Sequence, residues 1–138
     1  MTQDSRRQAR ILALVCQYQR QKLDETSSSE NRAFTSSNLP EKLQDFARLL
    51  LDTAANKGSE IDQMVEKNLP SGWKQSRLLE PLNALLRISI AELLAMPQTD
   101  SKVVFNESIE LCRLYVSEGS TKLLNGLLHT ISKEIGSR

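Results

Sequence analysis

A nearly unbroken apolar segment at residues 81–96 sets the strongest limit on how this chain folds. The segment reads PLNALLRISIAELLAM, and its strongly polar members after Ala84 are Arg87, Ser89 and Glu92. A helix that is apolar on most of its sides has to be surrounded by other helices. We therefore predict that this segment is the central helix of an all-α fold and that Pro97 ends it.

Apolar positions spaced three and four residues apart predict six further helices around this central one. Their ranges are 5–22, 38–54, 59–68, 73–79, 101–116 and 120–135, and no segment alternates with the period of a strand. The polar, serine-rich stretch 24–37 is predicted to be a mobile connection, with Phe34 holding its far end. A length of 138 residues fits one domain, so residues 1–138 are predicted to form a single bundle of about seven helices.

Several helix ends carry recognisable signals. Asn38 and Glu41 have the spacing of a capping box at the start of the second helix. Gly58 is predicted to end that helix in the left-handed conformation. Ser120 is predicted to cap the last helix and Gly136 to close it, while LPSGW at residues 69–73 is predicted to be a turn.

The residues available for chemistry are few. Cys16, Cys112 and His129 are too far apart in sequence for a structural zinc site, and the cysteines fall in apolar stripes where they act as small hydrophobic residues. No phosphate-binding glycine motif or nucleophile elbow is present. We therefore predict neither enzymatic activity nor a cofactor or metal. The absence of a long apolar run and of a secretory signal favours a cytoplasmic location without membrane association.

Positive charge is concentrated at the start of the chain. Residues 1–23 contain five basic residues and one acidic residue, a net charge of +4, whereas the whole chain carries +1. A helix brings Arg6, Arg7 and Arg10 to one side, and guanidinium groups suit phosphate because they donate two parallel hydrogen bonds. The alternative is a solvated helix end whose charges maintain solubility.

Two observations favour RNA over duplex DNA, and the first is that no helix-turn-helix signature is present. Tyr115 stands beside Arg113 and shortly before Lys122, the combination of aromatic and basic groups on which single-stranded bases stack. Alternatively, Tyr115 ends a core stripe that includes Val104, Ser108, Leu111 and Cys112. The carboxylates of Glu107 and Glu110 are predicted to be exposed charges on a helix.

Five stretches, in this order, resemble the NusB family of bacterial transcription antitermination factors. They are RRQAR, ALVCQYQ, LLRISIAEL, KVVFNESIELCRLY and TKLLNG, and the resemblance runs from about Arg6 to Ile131. It implies seven helices in two subbundles. It also implies binding to the boxA element of ribosomal RNA transcripts together with the ribosomal protein NusE, in a complex that helps RNA polymerase to read through terminators. Both monomers and homodimers are compatible with it.

The resemblance implies RNA contacts by the N-terminal arginines and by the segment before the last helix. With Arg113 added because it stands beside Tyr115, the full set of predicted RNA-binding residues is Arg6, Arg7, Arg10, Lys102, Arg113, Tyr115, Gly119 and Lys122. Tyr18 and Leu82 match positions of the surface that meets NusE.

The chain departs from the family pattern at three positions. Leu123 replaces an aromatic residue, Leu82 an acidic one and Ala91 a tyrosine, and the last two lie near the expected NusE surface. Two other functions therefore stay open. One is an RNA-associated helical module for protein interaction without antitermination activity. The other is an accessory domain of a system that modifies ribosomal RNA, because NusB-like domains also occur in ribosomal RNA cytosine methyltransferases.

Overall fold

A computed structural model describes residues 3–23 and 27–136, which fold into α-helices joined by short turns. The helices are α1 (Gln3–Leu23), α2 (Ser27–Ser37), α3 (Glu41–Asn56), α4 (Gly58–Asn68), α5 (Glu80–Ala95), α6 (Ser101–Tyr115) and α7 (Thr121–Ile135). Two short 3-10 turns, Gln75–Arg77 and Glu118–Ser120, precede α5 and α7. The described part of the chain contains no strand, and none of its helices is long and apolar enough to cross a membrane.

The central helix is α5, as its sequence predicts. Residues on all of its sides are buried, including the polar Asn83, Ser89 and Glu92. It packs with α1 and α3 on one side and with α6 and α7 on the other. One subbundle thus contains α1, α3 and α5, the other contains α5, α6 and α7, and α5 belongs to both. This arrangement confirms the all-α bundle with two subbundles. α2 lies against α1, and α4 contacts α3, α5 and α7.

The prediction that residues 24–37 form a mobile connection is wrong where the structure describes them, because residues 27–37 form α2. Residues 24–26 lie outside the described residues. Phe34 is fully buried, and the guanidinium of Arg48 lies 4.0 Å from its ring centre. Arg20 of α1 donates to both carboxylate oxygens of Glu30, at 2.6 and 2.8 Å. Tertiary contacts therefore stabilise a helix whose serine-rich sequence has low helix propensity.

Two predicted helix ends differ from the structure. Asn38 does not cap α3, whose N-cap is Pro40 without a side-chain hydrogen bond. Instead Asn38 has a φ of 55° and follows the last residue of α2. Asparagine tolerates this left-handed conformation, so the polar signal belongs to the end of one helix rather than to the start of the next. Gly58 likewise begins α4 instead of ending α3, and Lys57 separates the two helices.

The predicted helix at 73–79 is reduced to the 3-10 turn Gln75–Arg77. Acidic side chains of α4 hold this turn: Glu66 accepts from the Gln75 backbone N–H, and Asp62 accepts from the Gln75 side chain. Ser120 occupies the N-cap of α7 but makes no capping bond, and its hydroxyl lies 2.8 Å from that of Ser117 instead. Gly136 ends α7, as predicted, and adopts the left-handed conformation.

Both cysteines belong to the apolar core, which confirms the sequence interpretation. Burial raises the pKa of Cys16 to about 11, mainly because the thiolate would lose hydration. Desolvation also raises the pKa of Cys112, whose thiol donates to the carbonyl of Ser117.

The central position of α5 makes its apolar side chains decisive for stability. Leu86 is fully buried, whereas Leu79, just before the same helix, is 54% exposed. We expect Leu86→Ala to lower the free energy of unfolding by about 2–5 kcal/mol, because it leaves a cavity in the core. The matched Leu79→Ala should change it by less than about 1 kcal/mol. Urea unfolding followed by helical circular dichroism measures both, and equal losses would contradict the placement of α5.

Candidate nucleic-acid interface

Arg10 and Glu92 form a buried ion pair between α1 and α5. Arg10 donates from Nε and Nη2 to the two carboxylate oxygens of Glu92, at 2.7 and 2.6 Å. Their side chains are 3% and 2% exposed. At the other end of the same contact, Gln21 donates to Glu80. Residues late in α1 thus meet residues early in α5, so the two helices run antiparallel.

Glu107 of α6 completes the cluster of charges. Arg7 donates from Nε and Nη2 to its two carboxylate oxygens, at 3.0 and 2.8 Å, and Nη1 of Arg10 lies 3.5 Å away. The hydrogen bond from Arg7 is the main cause that lowers the pKa of Glu107, against the opposing effect of burial. The prediction that Glu107 is an exposed charge is therefore wrong, whereas Glu110 is partly exposed and pairs with Arg113.

Arg6 contacts an aromatic ring instead of a carboxylate. Its guanidinium carbon lies 5.4 Å from the ring centre of Phe46, and that of Arg10 lies 5.5 Å from the same ring. The Nε of Arg6 is buried without a hydrogen-bond partner among the described residues. Cation–π attraction of this kind holds the arginine while leaving its charge uncompensated by an ion pair.

The three arginines predicted to bind RNA therefore differ in what they can reach. Arg10 is enclosed by Glu92, Glu107 and Phe46, so the prediction that it contacts RNA directly does not fit this structure. The side chain of Arg7 is 32% exposed although it is paired. Arg6 is partly exposed as well. The spacing in the sequence correctly placed the three residues together on α1. It did not show that Arg10 is buried while Arg6 and Arg7 are partly exposed.

An apolar groove, here called the α1 groove, runs along α1 from Ile11, directly after Arg10, to Lys22. It has a volume of about 560 Å³ and is lined by Ile11, Leu14, Val15, Tyr18, Gln19, Lys22, Pro81 and Tyr115. Tyr115 is 50% exposed and Val15 41%. The alternative interpretation of Tyr115 as the end of a core stripe is thus wrong, because the ring forms part of a surface.

The two residues predicted to contact NusE are placed differently. Tyr18 lines the α1 groove. Leu82 is 2% exposed and belongs to the core, so its side chain is not available to a partner and that prediction is wrong for the side chain. The neighbouring Pro81 lines the groove instead. An acidic residue would be costly at a position this buried, which gives a physical reason for leucine there.

A second groove, here called the α7 groove, lies between α7 and the turn at residues 69–73 that follows α4. It has a volume of about 520 Å³ and is lined by Asn68, Pro70, Trp73, Gly119, Lys122, Leu123, Gly126, Leu127 and Thr130. Two predicted RNA-binding residues, Gly119 and Lys122, thus share one surface with Trp73, to which the sequence interpretation gave no role. The signal in the sequence was a tryptophan at the end of the predicted turn LPSGW, where a large aromatic side chain is unusual.

The remaining predicted cations are all at the surface. Arg113 donates to Glu110 at 2.8 Å and to Glu118 at 3.0 Å, so two carboxylates already balance its charge. Lys102 is exposed at the start of α6, where Asp100 accepts its backbone N–H and caps the helix. Lys102 and Lys122 form no ion pair with the described residues.

Comparison with known proteins gives consistent matches over nearly the whole chain. A sequence model of the NusB family matches residues 6–133. The transcription antitermination protein NusB of Listeria monocytogenes is 36% identical over 131 residues, which cover 94% of this chain and 97% of the relative. NusB of Koribacter versatilis is 30% identical over 133 residues, with coverage of 95% and 90%. A crystal structure of antitermination factors NusB and NusE in complex with dsRNA superposes with a TM-score of 0.85 at 27% identity, covering 96% of this chain and 99% of the other.

The buried pair makes Glu92 essential for folding. We expect Glu92→Gln to lower the free energy of unfolding by about 3–5 kcal/mol, because it leaves the buried charge of Arg10 uncompensated. The control Glu110→Gln, which breaks an exposed pair with Arg113, should cost at most about 1 kcal/mol. Replacing both Arg10 and Glu92 by methionine should restore much of the loss in urea unfolding. Equal effects of the two glutamine variants would contradict the assignment.

Proposed function

Because the chain belongs to the NusB family, we propose that it is a transcription antitermination factor that binds RNA together with NusE. The RNA is the boxA-type, single-stranded element of ribosomal RNA transcripts, and the complex assists RNA polymerase in reading through terminators. The observation that carries this proposal is the family match over residues 6–133, together with the similarity to NusB in the complex of NusB, NusE and dsRNA.

In this proposal RNA binds along the exposed cations and aromatic groups. Arg6, Arg7, Lys102 and Lys122 supply positive charge to phosphates, and Tyr115 supplies a ring on which a base stacks. Arg113 contributes only when phosphate competes successfully with Glu110 and Glu118. Gly119 leaves room for the backbone of RNA, since a methyl group added there would meet no atom within 4 Å.

Arg10 has a positioning role in the same proposal. Its bidentate bond to Glu92 fixes the rotation of α1 against α5. Arg7, which is three residues away and therefore on the same side of the helix, is held at Glu107. Arg10 thus contributes to RNA binding by presenting its neighbours rather than by touching phosphate.

We place NusE in the α1 groove. This surface is largely apolar, with Val15 substantially exposed, and Lys22 is the charged residue among those that line it. Tyr115, which also lines the groove, stays assigned to RNA, so the two surfaces adjoin at this ring. Exposed apolar surface of this kind is typical of protein interfaces, in which aromatic residues are enriched. The proposal needs no chemistry by the chain itself and places it in the cytoplasm, where transcripts are made.

The RNA surface can be tested through its dependence on salt. We expect Arg6→Ala and Lys122→Ala each to weaken binding of a fluorescently labelled boxA RNA. Each should also reduce the slope of log affinity against log salt by about 0.7, because one phosphate contact is lost. Fluorescence anisotropy at several salt concentrations measures both quantities.

The control for this experiment is Lys57→Ala. Lys57 is exposed between α3 and α4, where it pairs with Glu60, and it should change neither affinity nor slope. If wild-type protein does not bind the RNA, or if all three variants behave alike, the proposed RNA surface is wrong.

The partner surface predicts a separable defect. We expect Val15→Asp to reduce capture of purified NusE at least tenfold, because a charge is placed in the apolar α1 groove, at about 1.4 kcal/mol per tenfold loss. RNA affinity without NusE should be unchanged. Leu49→Asp is the matched control, since Leu49 is 40% exposed on α3 and lines neither groove. Equal capture by both variants would remove NusE from this groove.

A further inference from the structure

Trp73 is held at the surface by a rigid turn. Its backbone N–H donates to the carbonyl of Pro70 at 3.0 Å, and Gly72 between them has a φ of 87°. A positive φ at the third residue is the mark of a type II turn, which glycine adopts without strain. The indole that follows this turn is 52% exposed. The chain therefore fixes the backbone of a large aromatic residue and leaves about half of its surface uncovered.

The wall of the α7 groove that α7 forms contains a glycine. Gly126 lies in the interior of α7 and is exposed, and its φ is not in the left-handed region. A methyl group added at Gly126 would meet no atom within 4 Å. Glycine inside a helix is less stable than alanine, yet no contact with the described residues requires it here. This open space is what close approach of an external ligand to the helix would need.

The charge around the α7 groove favours an anionic ligand. Lys122 is the charged residue among those that line it, and Lys74 is exposed directly after Trp73. The neighbouring carboxylates are already paired: Glu134 is bonded by Lys67 at 3.2 Å, and Glu118 by Arg113 at 3.0 Å. Asn68 and Thr130 add polar groups at the groove, although Asn68 donates to Glu134 and Thr130 donates to the Gly126 carbonyl.

From these observations we propose that the α7 groove binds one base of single-stranded RNA, which stacks on Trp73 while Lys122 contacts its phosphate. This inference rests on the proposed function and assigns a further recognition site within it. An aromatic face beside a cation is the arrangement by which proteins bind unpaired bases. The side of the base opposite to the indole faces Gly126, where a side chain would restrict its entry.

The site can be observed directly because Trp73 is the only tryptophan in the chain. Stacking of a base on the indole quenches its fluorescence, so titration with a single-stranded boxA RNA of about 12 nucleotides should quench the emission in parallel with anisotropy of the labelled RNA. Anisotropy that rises without quenching would overturn the inference and leave the proposed function intact. Absence of any anisotropy change would overturn both.

Two variants test the two walls of the groove. Trp73→Ala should weaken RNA binding by about 5- to 150-fold, the range for loss of one base stack, and Trp73→Phe should retain most of the affinity. Gly126→Ala should weaken RNA binding while it raises the melting temperature by about 2–5 °C, because alanine favours the helix. A purely structural role for either residue predicts lower thermal stability and unchanged RNA affinity.

The controls use similar residues outside the groove. Leu79→Ala removes another exposed apolar side chain from the same connection, and Gly58→Ala adds a methyl group at another helical glycine with open space. Neither should change RNA affinity. If NusE quenches Trp73 and RNA does not, or if all variants bind RNA like wild type, the assignment of this groove to RNA is wrong.

Discussion

The buried pair of Arg10 and Glu92 is the interaction on which the rest of the structure depends. Two ions removed from water are stable only when their geometry is nearly ideal, and here two short parallel bonds join them between α1 and the central α5. Together with the Gln21–Glu80 bond farther along the antiparallel pair, this contact fixes α1 against α5. On α1, Arg7 beside this pair meets α6, and the α1 groove begins at Ile11, directly after Arg10.

The same pair divides the N-terminal positive charge into an internal and an external part. Glu92 and Glu107 balance Arg10 and Arg7, so the excess of +4 in the first 23 residues overstates the charge that the described surface presents near α1. Arg6 is partly exposed and held by the ring of Phe46, and no carboxylate among the described residues forms an ion pair with it. The positive charge that α1 presents to solvent thus depends on how the core distributes counter-ions as well as on how many arginines the sequence contains.

The architecture could be predicted from sequence because α5 is apolar almost all round, and its flanking helices repeat apolar residues with helical spacing. The errors fall where tertiary contacts override local signals. α2 depends on Phe34 and on the Arg20–Glu30 bond, neither of which a serine-rich segment reveals. The sequence did indicate that three arginines share α1 and that Gly119 and Lys122 lie close together before and at the start of α7. The burial of Arg10 and Leu82 depends on the neighbours that surround them, and spacing along one helix does not contain that information.

The two thiols have a consequence for how the bundle opens. A cysteine reacts as the thiolate, and both Cys16 and Cys112 are enclosed and held in the protonated form. Alkylating reagents therefore gain access only when α1 or α6 separates from its neighbours. The rate at which each thiol is alkylated therefore reports how often its helix separates from the bundle. Because α1 and α6 lie on different sides of α5, the two thiols report on different halves of the fold.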